Sequence, residues 1–280
     1  KNVEILALFS NFLTFVLDKD NMTIFNKEQQ KKAQFIIENP CAKLSALFSS
    51  EIKELAVAWC YYSGKIEGNT YTYVETEALL KDGITSEKKY EDAKMLKNLY
   101  NIFIGELEYI LREKNKEKID ERTLLRVHAN ISNELVSNEE SGKYRSRAVA
   151  VRGTEYIPPK NSLEINMEMN RIFFEQENIK NPLEKAVYLH CNIARTQPFI
   201  DGNKRTSRMI ESICLMNADI IPVYSAKEAD IIAYRKALVN FYETKDYSQY
   251  VDYFLNRQIE RINEIAPAKY QYGNNGGRKL

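Results

Sequence analysis

The chain has 280 residues, with 40 lysines and arginines against 39 aspartates and glutamates, so its formal net charge is +1. A charge this close to zero gives no broad field to attract nucleic acid or an anionic membrane. No apolar run is long enough to span a bilayer, since the N-terminal stretch 3–17 is interrupted by Glu4 and Asn11. We therefore expect a cytoplasmic protein with neither nucleic acid nor membrane among its partners.

Cysteines and histidines are too few and too scattered for a metal site built from them. Only two histidines occur, His128 and His190, and both favour packing or a local hydrogen bond over metal binding. The cysteines form no C-x-x-C pair, which favours buried free thiols in a cytosolic protein. They are Cys41, Cys60, Cys191 and Cys214.

Helical periodicity covers most of the chain. Apolar residues recur at three- and four-residue spacing, for example at Leu96, Leu99 and Phe103, as on the buried face of a helix. Glycine and proline mark several of the ends. The predicted helices are 52–67, 74–80, 86–112, 121–135, 163–176, 182–194, 226–242 and 248–263.

One short region, 145–157, predicts strands instead. The run Val149, Ala150 and Val151 favours extended backbone, and Gly153 separates it from a second such run. The fold class that we predict is therefore all-α with one small β-hairpin. The glycine- and asparagine-rich end of the chain predicts a flexible tail.

The turn Asp201-Gly202-Asn203 lies directly before a predicted helix. Such a turn directs several backbone N–H groups at one point, which is a typical anion site. Arg205 and Arg208 share a face of that helix and could both reach phosphate oxygens, while Asp201 is suited to one ligand position of Mg²⁺. A bare turn of this kind would also fit an ordinary helix start with two surface arginines.

The whole stretch 197–208 resembles the signature of the Fic family, His-Pro-Phe-x-Asp/Glu-Gly-Asn-x-Arg-x-x-Arg. The resemblance implies a Fic-type helical core and an enzyme that moves AMP from ATP to a hydroxyl group of a target protein. Gly202 favours this AMP-transferring branch over a kinase-like branch. Seven of the eight specified residues match in place: Pro198, Phe199, Asp201, Gly202, Asn203, Arg205 and Arg208.

The family pattern also assigns roles to these residues. By the resemblance, Asp201 would hold Mg²⁺, and Gly202, Asn203 and Arg205 would hold the α- and β-phosphates of ATP. Arg208 would orient the γ-phosphate. Another nucleotide or phosphocholine stays open as the donor, because such a loop recognises phosphates and not bases.

Gln197 stands where the family has its catalytic histidine. In the family that histidine takes the proton from the target hydroxyl, and a neutral amide cannot do so. Loss of a general base typically costs about 10²–10⁴-fold in rate. The chain as written is therefore expected to be impaired in transfer, and the residues leave open whether Gln197 is an engineered or a natural substitution.

A second motif, Ser63 followed by Glu67 and Gly68, closes the helix predicted at 52–67. Taken alone, Glu67 would be an ordinary exposed carboxylate before a glycine cap. Ser-x-x-x-Glu-Gly is nevertheless similar to the inhibitory motif of Fic proteins that carry an N-terminal inhibitory helix. The resemblance implies that Glu67 pairs with Arg208 and blocks productive binding of the γ-phosphate.

Two further segments gain a function only through the resemblance. The hairpin with Val149, Ala150 and Val151 would be the flap that docks an extended segment of a target protein by strand addition. On the helix 226–242, Tyr234 and Asn240 would contact the adenine.

The predicted division of the chain is an N-terminal helical region with the inhibitory helix (1–112), a Fic core with flap and phosphate loop (113–225), C-terminal helices (226–263) and a flexible tail (264–280).

Three functions stay open: a regulated AMP transferase, a nucleotide-binding regulator without catalysis, and an enzyme that removes AMP from protein. The target could be another protein or the chain itself, and an oligomer is also left open.

Overall fold

A computed structural model describes residues 22–113 and 116–273, and no β-strand forms within these two ranges. The prediction of an all-α fold is confirmed. The apolar stretch 3–17 lies outside the described residues. The α-helices are α1 (Lys27–Glu38), α2 (Ser49–Ile66), α3 (Tyr73–Asp82), α4 (Tyr90–Glu113), α5 (Glu121–Ser132), α6 (Ser162–Glu175), α7 (Pro182–Thr196), α8 (Asn203–Asn217), α9 (Glu228–Thr244) and α10 (Ser248–Ile265).

Helices α7 and α8 form the centre of the fold and pack against each other more extensively than any other pair of described helices. Helix α7 starts with Pro182, behind Asn181, whose side chain accepts a hydrogen bond from the Leu183 N–H at 2.9 Å. Most side chains of both helices are buried. The polar loop 197–202 that joins them is therefore fixed by the core at both ends.

The remaining helices surround this pair. Helix α5 packs against α8, and α4 packs against α2, α5 and α8. On the other side, α9 and α10 pack against α7, and α1 packs against α10. Side chains of the long helices α2 and α9 reach Arg208 near the start of α8, where the phosphate-loop motif lies.

Helix α2 carries the Ser63–Glu67 motif at its C-terminal end. The Phe48 N–H donates to the Glu51 carboxylate at 2.7 Å at the helix start, and Glu67 is the last, capping residue. Between them the buried Trp59 donates its indole N–H to the Ser212 hydroxyl on α8 at 3.0 Å. This buried hydrogen bond fixes α2 against α8.

The predicted hairpin at 145–157 is corrected by the structure, because the two arms do not pair as strands. They run without regular structure on either side of a turn at Gly153, which has φ 83°. A two-stranded ladder is marginal by itself in water. Here a side chain holds the arms instead, since the buried Arg145 guanidinium donates to the Arg147 and Pro159 carbonyls at 2.7 and 2.6 Å.

Part of the predicted tail is structured. Helix α10 extends to Ile265, a 3₁₀ turn forms at Ala268–Tyr270, and the ring of Tyr272 meets Phe35 edge-on with 4.9 Å between centroids. Residues 274–280 lie outside the described residues. These contacts join the end of the chain to α1.

The cysteines are free thiols, as the sequence predicts. All four cysteines are free; three are buried and Cys41 is half-buried. Across the described ranges, none of the helices is long and apolar enough to cross a bilayer.

Candidate active site

The loop between α7 and α8 turns at Gly202, which is the residue before the first turn of α8. Its φ of 77° lies in the left-handed region, and a Cβ there would come within 3.6 Å of the His128 ring. Glycine adopts this conformation without strain, whereas other residues do so rarely. No side chain of the described residues caps α8, so its first N–H groups remain available to an anion.

Asn203 and Phe199 hold the loop closed. The Asn203 side chain accepts from the Phe199 N–H and donates to the Phe199 carbonyl, both at 2.8 Å. Phe199 is fully buried and stacks on the His128 ring with 3.7 Å between centroids. The Asn203 side chain thus holds the shape of the loop, and the assignment of Asn203 to phosphate binding stays a prediction.

His128 belongs to the site, although the sequence favoured only a local role for it. Its Nδ1 accepts from the Gly142 N–H at 2.9 Å, so Nε2 carries the proton and donates to the Asp201 carbonyl at 3.1 Å. Burial lowers the pKa of His128 to about 4. A neutral histidine on α5 therefore fixes the backbone of the phosphate loop, and no periodicity or spacing in the sequence signals this.

Arg205 is suited to bind an anion at this loop. Its Nη2 donates to the Asp201 carboxylate at 2.6 Å, while its Nη1 is buried and has no hydrogen-bond partner among the described residues. An unpaired buried donor is unfavourable, and a phosphate oxygen would satisfy it. The geometry fits an anion-binding role for Arg205.

Asp201 fits one ligand position for a divalent cation. Its side chain is 64% exposed and one of its oxygens accepts from Arg205. Mg²⁺ at nucleotide sites usually has one or two carboxylates together with phosphate oxygens and water. The described residues contain no cluster of three or more histidine, cysteine, aspartate or glutamate side chains that could hold a metal alone.

Arg208 is fully buried and binds the end of α2. Its Nε donates to the Ser63 hydroxyl at 3.0 Å, and its Nη2 donates to the Ser63 carbonyl at 3.2 Å and to the Glu67 carboxylate at 2.7 Å. Its Nη1 donates to the Tyr234 hydroxyl at 3.1 Å. The structure thus brings together Ser63, Glu67 and Arg208, as the resemblance implies.

Glu67 is ionised in this arrangement. Burial alone would raise the pKa of its carboxyl group, but the charges of Arg208, Lys204 and Arg205 and the hydrogen bond from Arg208 lower that pKa to about 2. The Lys204 ammonium lies 3.9 Å from the second oxygen of Glu67. The pairing with Arg208 is therefore between full charges at any pH near neutral.

Gln197 lies at the C-terminal end of α7 in the left-handed conformation, with φ 48° and ψ 57°. Its side-chain amide donates to the Ala194 carbonyl at 2.6 Å, and its own carbonyl accepts from Arg145 Nε at 2.7 Å. The side chain closes the helix end and offers no proton acceptor of histidine type.

A cavity of about 420 Å³ opens beside these residues. Tyr234 borders the cavity and is fully buried, and its hydroxyl bonds to Arg208 and His190. Asn240 lies farther along α9, outside the cavity lining, and its buried Nδ2 has no partner among the described residues. The lining is Ile66, Glu67, Val151, Arg152, Lys204, Tyr234, Arg235, Leu238, Val239 and Tyr242.

The loop predicted as the flap borders the same cavity. Val151 lines it, Val149 is half-buried and Ala150 is exposed. Beyond the turn, Thr154 donates to Glu243 on α9 at 2.7 Å. The loop is thus fixed at its base by Arg145 and at its tip by α9, with Ala150 open to solvent between them.

Comparison with known proteins identifies the family to which the loop and its arginines are similar. Residues 118–215, which include the entire phosphate loop, match the model of the Fic/DOC family. The chain carries a Fic domain. Among curated relatives, protein adenylyltransferase Fic of Drosophila erecta is 30% identical over 183 residues. That match covers 63% of this chain but only 35% of the relative.

Solved Fic structures share the fold. Fic-1 from C. elegans superimposes with a TM-score of 0.67 and 20% identity, covering 92% of this chain and 74% of that chain. IbpAFic2, solved in complex with adenylylated Cdc42, has a TM-score of 0.51 and 12% identity, covering 91% of this chain and 77% of its own. The likeness thus extends beyond the Fic domain into the flanking helices.

Proposed function

We propose that this chain is built as a protein adenylyltransferase that moves AMP from ATP to a hydroxyl side chain of a protein. The observation that carries the proposal is the buried, unpaired Arg205 Nη1 beside the uncapped start of α8. This is a preformed anion site at the loop where Fic relatives carry their signature. It supports binding of phosphates at this point.

At the α-phosphorus the transfer forms one bond and breaks one. The target oxygen bonds to the α-phosphorus, the bond from that phosphorus to the bridging oxygen breaks, and pyrophosphate leaves. The hydroxyl proton must pass to a base, and Gln197 cannot accept it. The chain as written is therefore proposed to be an impaired form of the enzyme.

Two relatives support a protein target. The Drosophila erecta relative is named a protein adenylyltransferase, and IbpAFic2 was solved with adenylylated Cdc42. The exposed Ala150 between the two anchors of the flap loop is where an extended target segment could add. The cytoplasmic location, the chain itself as a target and an oligomer stay predictions.

We further propose that Glu67 inhibits the transferase. Its carboxylate occupies Nη2 of Arg208, the guanidinium that the resemblance assigns to the γ-phosphate. A γ-phosphate would have to displace Glu67 to gain this donor, so ATP would bind without its productive contact. Asp201 would hold Mg²⁺, which when bound neutralises phosphate charge.

The test uses ATP labelled at the α-phosphate and four proteins: the chain as given, Gln197→His, Glu67→Gly, and both changes together. We expect strong labelling only in the double variant, on the chain itself or on a protein of the cell lysate. Gln197→His combined with Glu67→Gln is the matched control, because it removes the charge but keeps the side-chain size. It should label nearly as strongly as the double variant.

A nucleotide-binding regulator without catalysis is the second candidate. Gln197 favours it because its side-chain amide is bonded to the Ala194 carbonyl and supplies no base for the transfer. Binding of ATP without labelling by any variant would favour the regulator and reject the transferase. Release of AMP from modified protein by Gln197→His with Glu67 intact would instead indicate the reverse, AMP-removing reaction.

A further inference from the structure

Arg208 is held by α9 as well as by the inhibitory helix. Its Nη2 and Nε bond to Glu67 and Ser63 on α2, but its Nη1 donates to the Tyr234 hydroxyl at 3.1 Å. Both Arg208 and Tyr234 have no exposed surface. The contact to Tyr234 does not involve Glu67 and can persist when Glu67 leaves.

The Tyr234 hydroxyl also donates a hydrogen bond to a buried histidine. Having accepted from Arg208, it lies 3.1 Å from Nε2 of His190, whose Nδ1 is 3.0 Å from the Glu211 carboxylate. His190 Nδ1 has no hydrogen-bond partner among the described residues, so its contact with Glu211 is electrostatic. A proton on Nδ1 avoids repulsion with the carboxylate and leaves Nε2 free to accept from Tyr234.

Glu211 ends the chain of contacts as a buried acidic group. It is 1% exposed, and the hydroxyl groups of Tyr224 and Tyr250 also donate to it, the latter at 2.8 Å. No lysine or arginine within the described ranges forms an ion pair with it. These donors satisfy the oxygens of the buried carboxylate and hold it in one orientation.

We propose that Tyr234, His190 and Glu211 are positioning residues that fix Arg208 independently of Glu67. A buried guanidinium that loses its carboxylate partner is strongly unfavourable. The ordered chain of contacts to Glu211 offsets that loss and keeps the guanidinium oriented. Release of Glu67 then frees one N–H of Nη2, while Nη1, Nε and the Nη2 bond to the Ser63 carbonyl stay in place, so a γ-phosphate meets a prealigned donor. This last role rests on the proposed function.

Tyr253 provides a matched control for the Tyr234 hydroxyl. Its ring lies 5.7 Å from that of Tyr234, and its own buried hydroxyl has no partner among the described residues. Tyr253→Phe therefore removes the same atom from the same cluster without touching Arg208. A general effect of losing a buried hydroxyl would appear in both variants.

The first measurement follows the Arg208 side-chain N–H signals by NMR without nucleotide, in Glu67→Gly alone and combined with Tyr234→Phe or Tyr253→Phe. We expect slowly exchanging signals in Glu67→Gly and in the Tyr253→Phe combination. Tyr234→Phe should broaden them or accelerate exchange about tenfold. Unchanged Arg208 signals with Tyr234→Phe, or equal loss with Tyr253→Phe, overturn the proposal.

The second measurement titrates the same proteins with ATP and ADP in the presence of Mg²⁺, where Gln197 keeps turnover low. Tyr234→Phe should reduce the ratio of ATP to ADP affinity about tenfold and change ADP affinity less than twofold. An unchanged ratio overturns the positioning role. If no protein binds nucleotide but the NMR result holds, the proposed function fails and the positioning of Arg208 stands.

Discussion

At Gln197 the backbone and the side chain are held by different hydrogen bonds. The left-handed conformation at Gln197 is uncommon outside glycine, and the hydrogen bond from Arg145 to the carbonyl of this residue helps to fix it. Histidine is among the residues that adopt this conformation more readily. Gln197→His should therefore change the chemistry of the position and leave the loop in place.

His128 gives the site a dependence on pH. Its pKa of about 4 in the folded protein lies below the usual value near 6.5, so the unfolded chain binds a proton that the folded chain does not. Stability is therefore expected to fall as the pH drops from about 6.5 to about 4, by on the order of 3 kcal/mol from this residue. Denaturant unfolding at each pH measures the change.

His128→Gln serves as the comparison, since the amide keeps one donor and one acceptor but does not titrate. The difference in unfolding free energy between the two proteins should shrink as the pH falls through this window. A constant difference from pH 7 to 4 would show that His128 is not held neutral by the fold.

At the scale of elements, the phosphate loop and the flap loop are joined through one side chain. Arg145 donates to the Gln197 carbonyl and to two carbonyls of the flap loop, those of Arg147 and Pro159. No strand pairing supports the flap loop within the described part of the chain. Its conformation therefore depends on the planar, three-nitrogen geometry of arginine.

Arg145→Lys is expected to free the flap loop without unfolding the core, because the single nitrogen of an ammonium cannot occupy the three separate positions from which Nε, Nη1 and Nη2 donate. Hydrogen exchange should accelerate at residues 146–157 and remain slow in α7 and α8. Arg152→Lys, a change at an exposed position of the same loop, should leave the exchange pattern unchanged. Equal exchange in both variants would contradict the anchoring role.

At the scale of the whole molecule, the site exists only because distant segments meet. Glu67 and Arg208 are 141 residues apart in the chain. Helix α8 carries Arg208, while α2 and α9 supply the side chains that bind it. Binding at such a junction stabilises the entire fold, since the ligand binds the folded state alone.

Release of Glu67 should therefore appear in thermal unfolding. We expect saturating Mg²⁺ and ATP to raise the melting temperature of Glu67→Gly by about 2–4 °C more than that of the unchanged chain, which corresponds to about tenfold tighter binding. ADP lacks the γ-phosphate and should shift both proteins equally. Equal shifts with ATP would show that Glu67 does not compete with the γ-phosphate.

The sequence by itself determined the helices and the linear motif. Periodicity predicted the range 163–176 where α6 spans Ser162–Glu175, because a buried apolar face leaves a regular signal. It did not predict α1, whose sequence KEQQKKAQFIIE is polar over its first half and starts from an Asn26–Gln29 capping box. The loop motif was readable because its residues are consecutive.

Apart from the Glu67–Arg208 pair, which the resemblance implied, the tertiary structure alone decided which side chains meet at the site. His128, His190 and Glu211 carry no spacing that links them to the site. Only the packing of α5, α7, α8 and α9 brings His128 to Asp201 and His190 to Tyr234 and Glu211. The same packing turned Asn203 inward to Phe199 and left no strand partner for the flap arms in the described residues. Local residue order fixes periodicity and turns, whereas contacts across a hundred or more residues depend on how the helices pack.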